Sequence, residues 1–305
     1  MRVAAIDCGT NSIRLLVADI DASGMHELRR DMRIVRLGQG VDATGRFADE
    51  AIARTFAACD EYALVCRELA VERVRFVATS ATRDAANREV FVEGVRERLG
   101  VLPDVIGGEE EAALSFAGAT RELHGLEPAP FLVVDIGGGS TEFVLGDRAP
   151  LAARSVDVGC VRMTERHGFS GRPDRGRIDA AIADIDSAIA RAREVVPLEL
   201  AATFVAVAGS ATTIAAMALG LPAYDRDAIH GAVLGRDQVR AVSNAFLAMD
   251  SAERAALPFM HPGRVDVIPA GALILRRIME VCDLAEVRIS EHDILDGIAW
   301  SIPTV

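Results

Sequence analysis

Lysine is absent from this sequence of 305 residues, in which all 33 basic side chains are arginine. This absence excludes P-loop NTPases, protein kinases and enzymes that form a Schiff base with their substrate, because each depends on a lysine. Arginine is also the better phosphate ligand, since its planar guanidinium can donate two parallel hydrogen bonds. The net charge of −12 argues against nucleic acid or an anionic membrane as a partner. A polyanionic substrate would therefore need a local basic groove.

Paired cysteines and long apolar segments are also missing. The five cysteines include no CxxC pair and are odd in number, which is typical of a reduced cytoplasmic protein. The chain begins on a predicted strand without a signal-peptide pattern, and no apolar run reaches the roughly 18 residues that a membrane span needs. From these absences we expect a cytoplasmic location and no membrane partner.

Histidine is sparse, and its spacing gives no zinc motif of the HxxxH type among the six histidines. The dipeptide His292-Asp293 resembles the HD pair of metal phosphohydrolases, but no other histidine lies at a helical ligand spacing from it. Ser290 and Asp293 instead predict a capping box at the start of the last helix.

The strongest signal present is the segment 132–144, which reads LVVDIGGGSTEFV. An apolar run reaches Asp135, a glycine triplet follows, and Ser140 and Glu142 lead into a second apolar run. This pattern predicts two strands joined by a tight glycine turn. The N–H groups of such a turn form a concavity for phosphate oxygens. The carboxylates of Asp135 and Glu142 would hold a divalent cation beside that phosphate.

The same pattern occurs at residues 3–17, which read VAAIDCGTNSIRLLV. Laying Asp7 on Asp135 aligns the glycines and serines of the two turns and puts Arg14 at the position of Glu142. Two copies about one domain length apart predict two similarly folded domains that face each other across a cleft. The Gly/Pro-rich segment 125–130 predicts the boundary, which gives domains 1–127 and 128–305.

Three further segments place polar groups at the start of a helix. A strand over 74–80 runs into Thr79, Ser80, Thr82 and Arg83, and a strand near 203 runs into Gly209 and Ser210. Helix N-termini at such junctions bind anions, although N-capping and a surface ion pair explain the same residues. Three glutamates at 109–111 open another helix, where acidic side chains also stabilise the helix dipole.

The segments DCGTNSIRLL, TSATRDA, GEEEA, DIGGGSTEFV and VGCVRMTERHG together resemble the exopolyphosphatase/guanosine pentaphosphate phosphatase (Ppx/GppA) family in its short two-domain form. The resemblance extends from the first residues to the last helix. It implies an α/β fold of two ribonuclease-H-like (actin-like ATPase) domains, each a mixed β-sheet flanked by helices, with an interdomain cleft. It also implies a homodimer.

The resemblance implies that the glutamate before the alanine of GEEEA, here Glu111, activates the attacking water, with Glu110 as the alternative. Asp135 and Glu142, with Asp7, would hold Mg²⁺ or Mn²⁺, which also polarises the phosphoryl group, so that Glu142 is a catalytic residue as well. Phosphate would be bound by two turns, two junction residues and one arginine: Gly9, Thr10, Asn11, Ser12, Gly137, Gly138, Gly139, Ser140, Gly209, Ser210 and Arg83.

The substrate stays open between alternatives. The first is inorganic polyphosphate, from which an exopolyphosphatase hydrolyses the terminal phosphoanhydride and releases orthophosphate. The second is pppGpp, which a relative of the same family would convert to ppGpp. The third, of another class, is a non-catalytic actin-like ATP-binding protein. Against it, the glycine loops are followed by a general-base glutamate.

Overall fold

Two mixed sheets, each begun by one of the glycine hairpins, organise the chain in the computed structural model, which describes residues 1–303. The strands are β1 Arg2–Cys8, β2 Ser12–Asp21, β3 Gly24–Ile34, β4 Arg73–Ala78, β5 Asp104–Val105, β6 Phe131–Ile136, β7 Thr141–Gly146, β8 Pro150–Val156, β9 Thr203–Val207, β10 Val233–Gly235 and β11 Glu286–Ile289.

Helices cover both sheets. They are α1 Val41–Thr44, α2 Asp49–Glu68, α3 Ser80–Asp84, α4 Arg88–Leu99, α5 Gly108–Thr120, α6 Cys160–His167, α7 Arg175–Arg193, α8 Ala208–Ala218, α9 Arg226–Ile229, α10 Arg236–Ala248, α11 Ser251–Ala255, α12 Ile268–Val281 and α13 Ile294–Ser301. Among the helices of residues 1–303, none is long and apolar enough to cross a membrane.

The two sheets repeat one topology. The first has the strand order β3-β2-β1-β4-β5, and the second has the order β10-β11-β9-β6-β7-β8. In each, three antiparallel strands are followed by a strand parallel to the first: β4 lies beside β1, and β9 lies beside β6. The duplicated mixed α/β fold predicted from the repeated motif is therefore confirmed.

Strand β1 shows why the first sheet is covered on both faces. Successive side chains of a strand point to opposite faces. Ala4 and Ile6 accordingly belong to one apolar cluster, with side chains of α2 and α4, whereas Val3 and Ala5 belong to another, with side chains of α13. Burial on both faces explains why the strand reads as a continuous apolar run.

The chain divides into two compact units, one formed by Met1–Gly118 with the last helix and one by Ala119–Asp293. The sequence predicts a boundary between 127 and 128, which places the last helix in the second domain. Helix α13 packs on α5 instead: a Cβ on Gly297 would lie 1.9 Å from the Leu114 carbonyl oxygen. Asp296 of α13 also pairs with Arg30 at 2.6 Å.

The predicted cap of the last helix is wrong. The helix begins at Ile294, three residues beyond the point that a cap at Ser290 requires. The Ser290 hydroxyl instead accepts a hydrogen bond from the His292 N–H at 3.0 Å and donates to the His292 carbonyl at 2.8 Å. Ser290 therefore shapes the loop before the helix.

Candidate functional site

The glycine turn of the second unit has its carbonyls occupied, while its N–H groups face no backbone acceptor among the described residues. The carbonyl of Gly137 accepts from the Cys160 N–H, that of Gly138 accepts from the N–H groups of Val161 and Arg162, and that of Gly139 accepts from Arg162 Nε at 2.6 Å. Within residues 1–303, no backbone carbonyl accepts from the N–H of Gly138, Gly139 or Ser140. These donors form a ready concavity for phosphate oxygens.

Gly159 makes this arrangement possible by bringing helix α6 against the turn. A Cβ at position 159 would lie 2.4 Å from the Gly138 carbonyl oxygen, a separation that real side chains do not adopt. Only glycine therefore allows the start of α6 to reach the turn carbonyls.

The turn of the first unit is built in the same way. The carbonyl of Thr10 accepts from the Gly38 N–H, and that of Asn11 accepts from the N–H groups of Val35 and Arg36. Among the described residues, no backbone carbonyl accepts from the N–H of Thr10 or Asn11. The Asn11 Oδ1 atom is buried and has no hydrogen-bond partner within residues 1–303. Gly9 and Gly137 close their turns alike, donating to the carbonyls of the fourth turn residue at 3.0 Å.

Asp135 and Glu142 lie directly opposite each other on β6 and β7. Paired residues of antiparallel strands project from the same face, so the two carboxylates are neighbours, and both are buried. The Ser155 hydroxyl of β8 donates to Glu142 Oε1 at 2.7 Å. Carboxylate oxygens are the ligands that Mg²⁺ prefers, so the chemistry of these residues fits a hard divalent cation.

Asp7 has the equivalent place in the first unit but a different neighbour. Arg14 lies opposite it on β2, and its guanidinium donates to Asp7 Oδ2 at 2.6 Å. The first hairpin therefore holds an ion pair where the second holds two carboxylates.

Glu111 is a buried carboxylate in the first turn of α5. Arg83 Nη1 donates to Glu111 Oε2 at 2.7 Å, and the hydroxyl of Thr79 also donates to this carboxylate. Burial raises the pKa of the Glu111 carboxyl, while the positive charge of Arg83 acts in the opposite direction. A buried carboxylate with a raised pKa is a better proton acceptor than an exposed one.

The neighbouring Glu110 has a surface role. It accepts a hydrogen bond from Arg75 at 2.6 Å and is half exposed. Of the two glutamates that the motif left open, Glu111 alone lies with Arg83 and Thr79.

The junction hydroxyls do not cap the helices that follow them. Thr79 occupies the N-cap position of α3, but its side chain makes no capping hydrogen bond, and the chain leaves the helical conformation between α3 and α4. The N-cap of α8 is Val207 rather than Ser210. Thr10 and Ser80 are joined through their hydroxyls at 3.0 Å, which links the first turn to the start of α3.

Gly209 and Ser210 lie in the first turn of α8 under Arg264. A Cβ on Gly209 would lie 2.7 Å from the Arg264 guanidinium carbon, and one on Gly271 would lie 2.3 Å from Ser210 Oγ. Arg264 Nη1 donates to Thr213 Oγ1 at 2.9 Å. Because Gly209 is small, the Arg264 guanidinium can lie close to the N-terminus of α8. Helix N-termini bind anions favourably, and the positive charge of Arg264 would add to this.

Sequence reasoning missed Ser155, Arg162 and Gly159. Each acts on the glycine hairpin from a strand or helix that follows it. The motif VGCVRMTERHG did contain Gly159 and Arg162, but its spacing gave no sign that they contact the turn. Ser155 carried no signal at all, because its contact depends on the pairing of β8 with β7.

The repeated topology and the paired glycine turns define a protein of the actin-like ATPase fold. The model of the Ppx/GppA phosphatase family matches residues 16–302, and the chain belongs to this family.

Individual relatives agree with this assignment. Exopolyphosphatase 2 of Mycobacterium tuberculosis is 50% identical over 314 residues, which cover 99% of this chain and 98% of the relative. The crystal structure of an exopolyphosphatase-like protein, 45% identical, covers 99% of this chain and 98% of its own with a TM-score of 0.95. The crystal structure of the Aquifex aeolicus Ppx/GppA family member is 30% identical in sequence. The match covers 99% of this chain and 97% of the Aquifex chain, with a TM-score of 0.82.

Proposed function

We propose that this protein is an exopolyphosphatase, a phosphoanhydride hydrolase that releases orthophosphate from the end of inorganic polyphosphate. The similarity to exopolyphosphatase 2 of M. tuberculosis over nearly the full length of both chains supports this substrate. The observation that carries the reaction is the buried Glu111, held by Arg83 and Thr79. A non-catalytic ATP-binding protein would have no need of a carboxylate in this setting.

Hydrolysis of a phosphoanhydride depends mainly on positioning and on neutralising charge, with little covalent chemistry. The free N–H groups of both glycine turns would bind phosphate oxygens, helped by Ser210 and the neighbouring Arg264. Arg83 would contact a phosphate further along the chain. Glu111 would accept the proton of the attacking water, and burial, which raises its pKa, makes it a stronger base.

Asp135 and Glu142, with Asp7 as a further candidate, would hold Mg²⁺ or Mn²⁺. When bound, this cation would neutralise charge on the phosphoryl oxygens and polarise the phosphorus centre. Ser155 orients the Glu142 carboxylate for this role by its hydrogen bond.

The test is Mg²⁺-dependent phosphate release from polyphosphates of defined length, pppGpp and ATP, with wild type and Glu111→Gln side by side. Release from polyphosphate that is lost in the variant would support the proposal. Release chiefly from pppGpp would move the activity to that nucleotide, the alternative that the family name includes. Saturable ATP binding without release from any substrate would overturn an enzymatic function.

We further propose a cytoplasmic homodimer. The free state of all five cysteines suits a reducing compartment, and the homodimer rests on the family. Sedimentation equilibrium of the full chain tests the dimer, and a single monomeric species at micromolar concentration would contradict it. Fractionation of cells that express the protein tests the location.

A further inference from the structure

Three side chains from distant parts of the sequence meet in the second unit: Glu122, His230 and His292. His230 Nε2 lies 3.5 Å from Glu122 Oε2, and His292 Nδ1 lies 3.4 Å from the same oxygen. The two imidazole rings have their centroids 4.6 Å apart. One ligand atom from each residue lies within 4.8 Å of the other two. None of the three has a role in the proposed hydrolysis.

These separations match the ligands of a bound ion better than a direct hydrogen bond. An imidazolium N–H that donates to a carboxylate approaches to about 2.7–2.9 Å. Two ligands that are each about 2.0–2.1 Å from a tetrahedral zinc ion lie roughly 3.3–3.4 Å from one another. The two distances to Glu122 therefore match the ligand separations expected around one ion, and a small approach of the two rings would complete the set.

We propose that Glu122, His230 and His292 form a binding site for Zn²⁺ or a similar imidazole-preferring divalent cation. Two imidazoles and one carboxylate form a ligand set of zinc sites, and the fourth position would be filled by water. Magnesium prefers an all-oxygen set, so this site is chemically distinct from the acidic pair on β6 and β7. Both histidines are partly exposed and Glu122 is exposed, so the ion has access from solvent.

The site has a built-in coupling to the loop before α13. His230 Nδ1 accepts a hydrogen bond from the Glu291 N–H at 3.1 Å, which leaves the proton of the neutral ring on Nε2. Binding of the ion at Nε2 requires that proton to move to Nδ1, where it opposes the Glu291 N–H. Metal uptake at Nε2 would therefore break this hydrogen bond.

The ligands also flank both points at which the chain passes between its two compact units. Glu122 follows the change at Gly118/Ala119, and His292 precedes the change at Asp293/Ile294. A bound ion would therefore join the segment that enters the second unit to the segment that leaves it. Because the ion binds the folded site, it should raise the melting temperature.

The experiment is a Co²⁺ and Zn²⁺ titration of the full-length, metal-stripped protein under reducing conditions, with Mg²⁺ in saturating excess to fill the acidic pair. Wild type should take up one equivalent of Co²⁺ with the visible absorption of a tetrahedral ion, and Zn²⁺ should displace it. His230→Gln and His292→Gln should each abolish this uptake. Glu122→Gln should weaken it about tenfold or more, since zinc is bound by ionised carboxylates, imidazoles and thiolates rather than by neutral amides.

His26→Gln is the matched control. His26 is a surface histidine that lies 3.8 Å from a single carboxylate, that of Asp21, so its loss should leave Co²⁺ uptake as in wild type. Folding of each variant is checked by its melting temperature without metal. The absence of Co²⁺ uptake in wild type, or unchanged uptake in both histidine cluster variants, would overturn the proposal. Phosphate release is measured separately, so a failure of the enzymatic function would leave this result unaffected.

Discussion

The Arg14 guanidinium lies 2.6 Å from the Asp7 carboxylate, at the register position where the second unit sets Glu142 opposite Asp135. The two hairpins thus share a backbone design and differ in charge. Like charges directly opposite one another destabilise a sheet, and a bound cation removes that repulsion. We therefore expect the cation to depend more on Asp135 and Glu142 than on Asp7.

Ser155→Ala should weaken the Mg²⁺ dependence of phosphate release. Loss of the hydrogen bond to Glu142 Oε1 leaves this carboxylate less well oriented, and such outer partners typically contribute about ten- to a hundredfold in metal affinity or activity. The measurement is the Mg²⁺ concentration at half-maximal rate. Ser187→Ala, which removes a hydroxyl bonded to Arg191 on the exposed part of α7, should leave it unchanged. Equal Mg²⁺ requirements in the two variants would contradict this prediction.

Glu111→Gln should lower kcat by about 10²–10⁴-fold, the usual contribution of a general base, with a much smaller change in substrate affinity. The control is Glu110→Gln, which removes only a surface ion pair with Arg75 worth about 0–1 kcal/mol. Steady-state kinetics with defined polyphosphates distinguish the two. A Glu110→Gln variant as impaired as Glu111→Gln would reverse the assignment of the base.

Arg83→Gln should move the acid limb of the pH profile to higher pH. Glu111 must be ionised to accept a proton, so activity falls as pH drops through its pKa. The positive charge and hydrogen bond of Arg83 lower that pKa against the larger effect of burial, and their loss raises it further. The profile of kcat/KM against pH measures the shift. A uniform loss of activity with an unmoved limb would show that Arg83 acts on the substrate alone.

Gly159→Ala should disrupt the second glycine turn. The new methyl group would meet the Gly138 backbone at 2.4 Å, so helix α6 must move away and release the turn carbonyls. Overpacking of this kind costs about 1–3 kcal/mol of unfolding free energy, and phosphate binding should weaken as well. Gly171→Ala, where a Cβ meets nothing within 4 Å, is the control for urea unfolding. Equal free energies of unfolding for Gly159→Ala and Gly171→Ala would show that the Gly138 backbone does not exclude a side chain at position 159.

The sequence predicted the two hairpins well because their signals are local. A carboxylate at a strand end, a glycine turn and a second apolar run are enough to define strand, turn and strand, and the repeat of this motif predicted the duplicated topology. The opposition of Asp135 and Glu142 also follows from a tight turn, since turn length fixes which residues of the two strands are paired.

The boundary residues were harder to predict because they depend on packing. Helix α13 reads as an ordinary C-terminal helix, and only the contact of Gly297 with Leu114 and the ion pair of Asp296 with Arg30 show that it belongs to the first unit. Ser290 offered a sequence pattern for a helix cap, but its hydroxyl found a nearer partner in the backbone of His292.

The sequence by itself determined the glycine turns, the carboxylates beside them and the exclusion of lysine chemistry, since each is a property of neighbouring residues or of composition. Only the tertiary structure decided that Arg83 reaches Glu111, that α6 occupies the carbonyls of the second turn, and that His230 and His292 converge on Glu122. These contacts join segments far apart in the chain, and their geometry arises from how helices pack on sheets, which no local spacing of residues encodes.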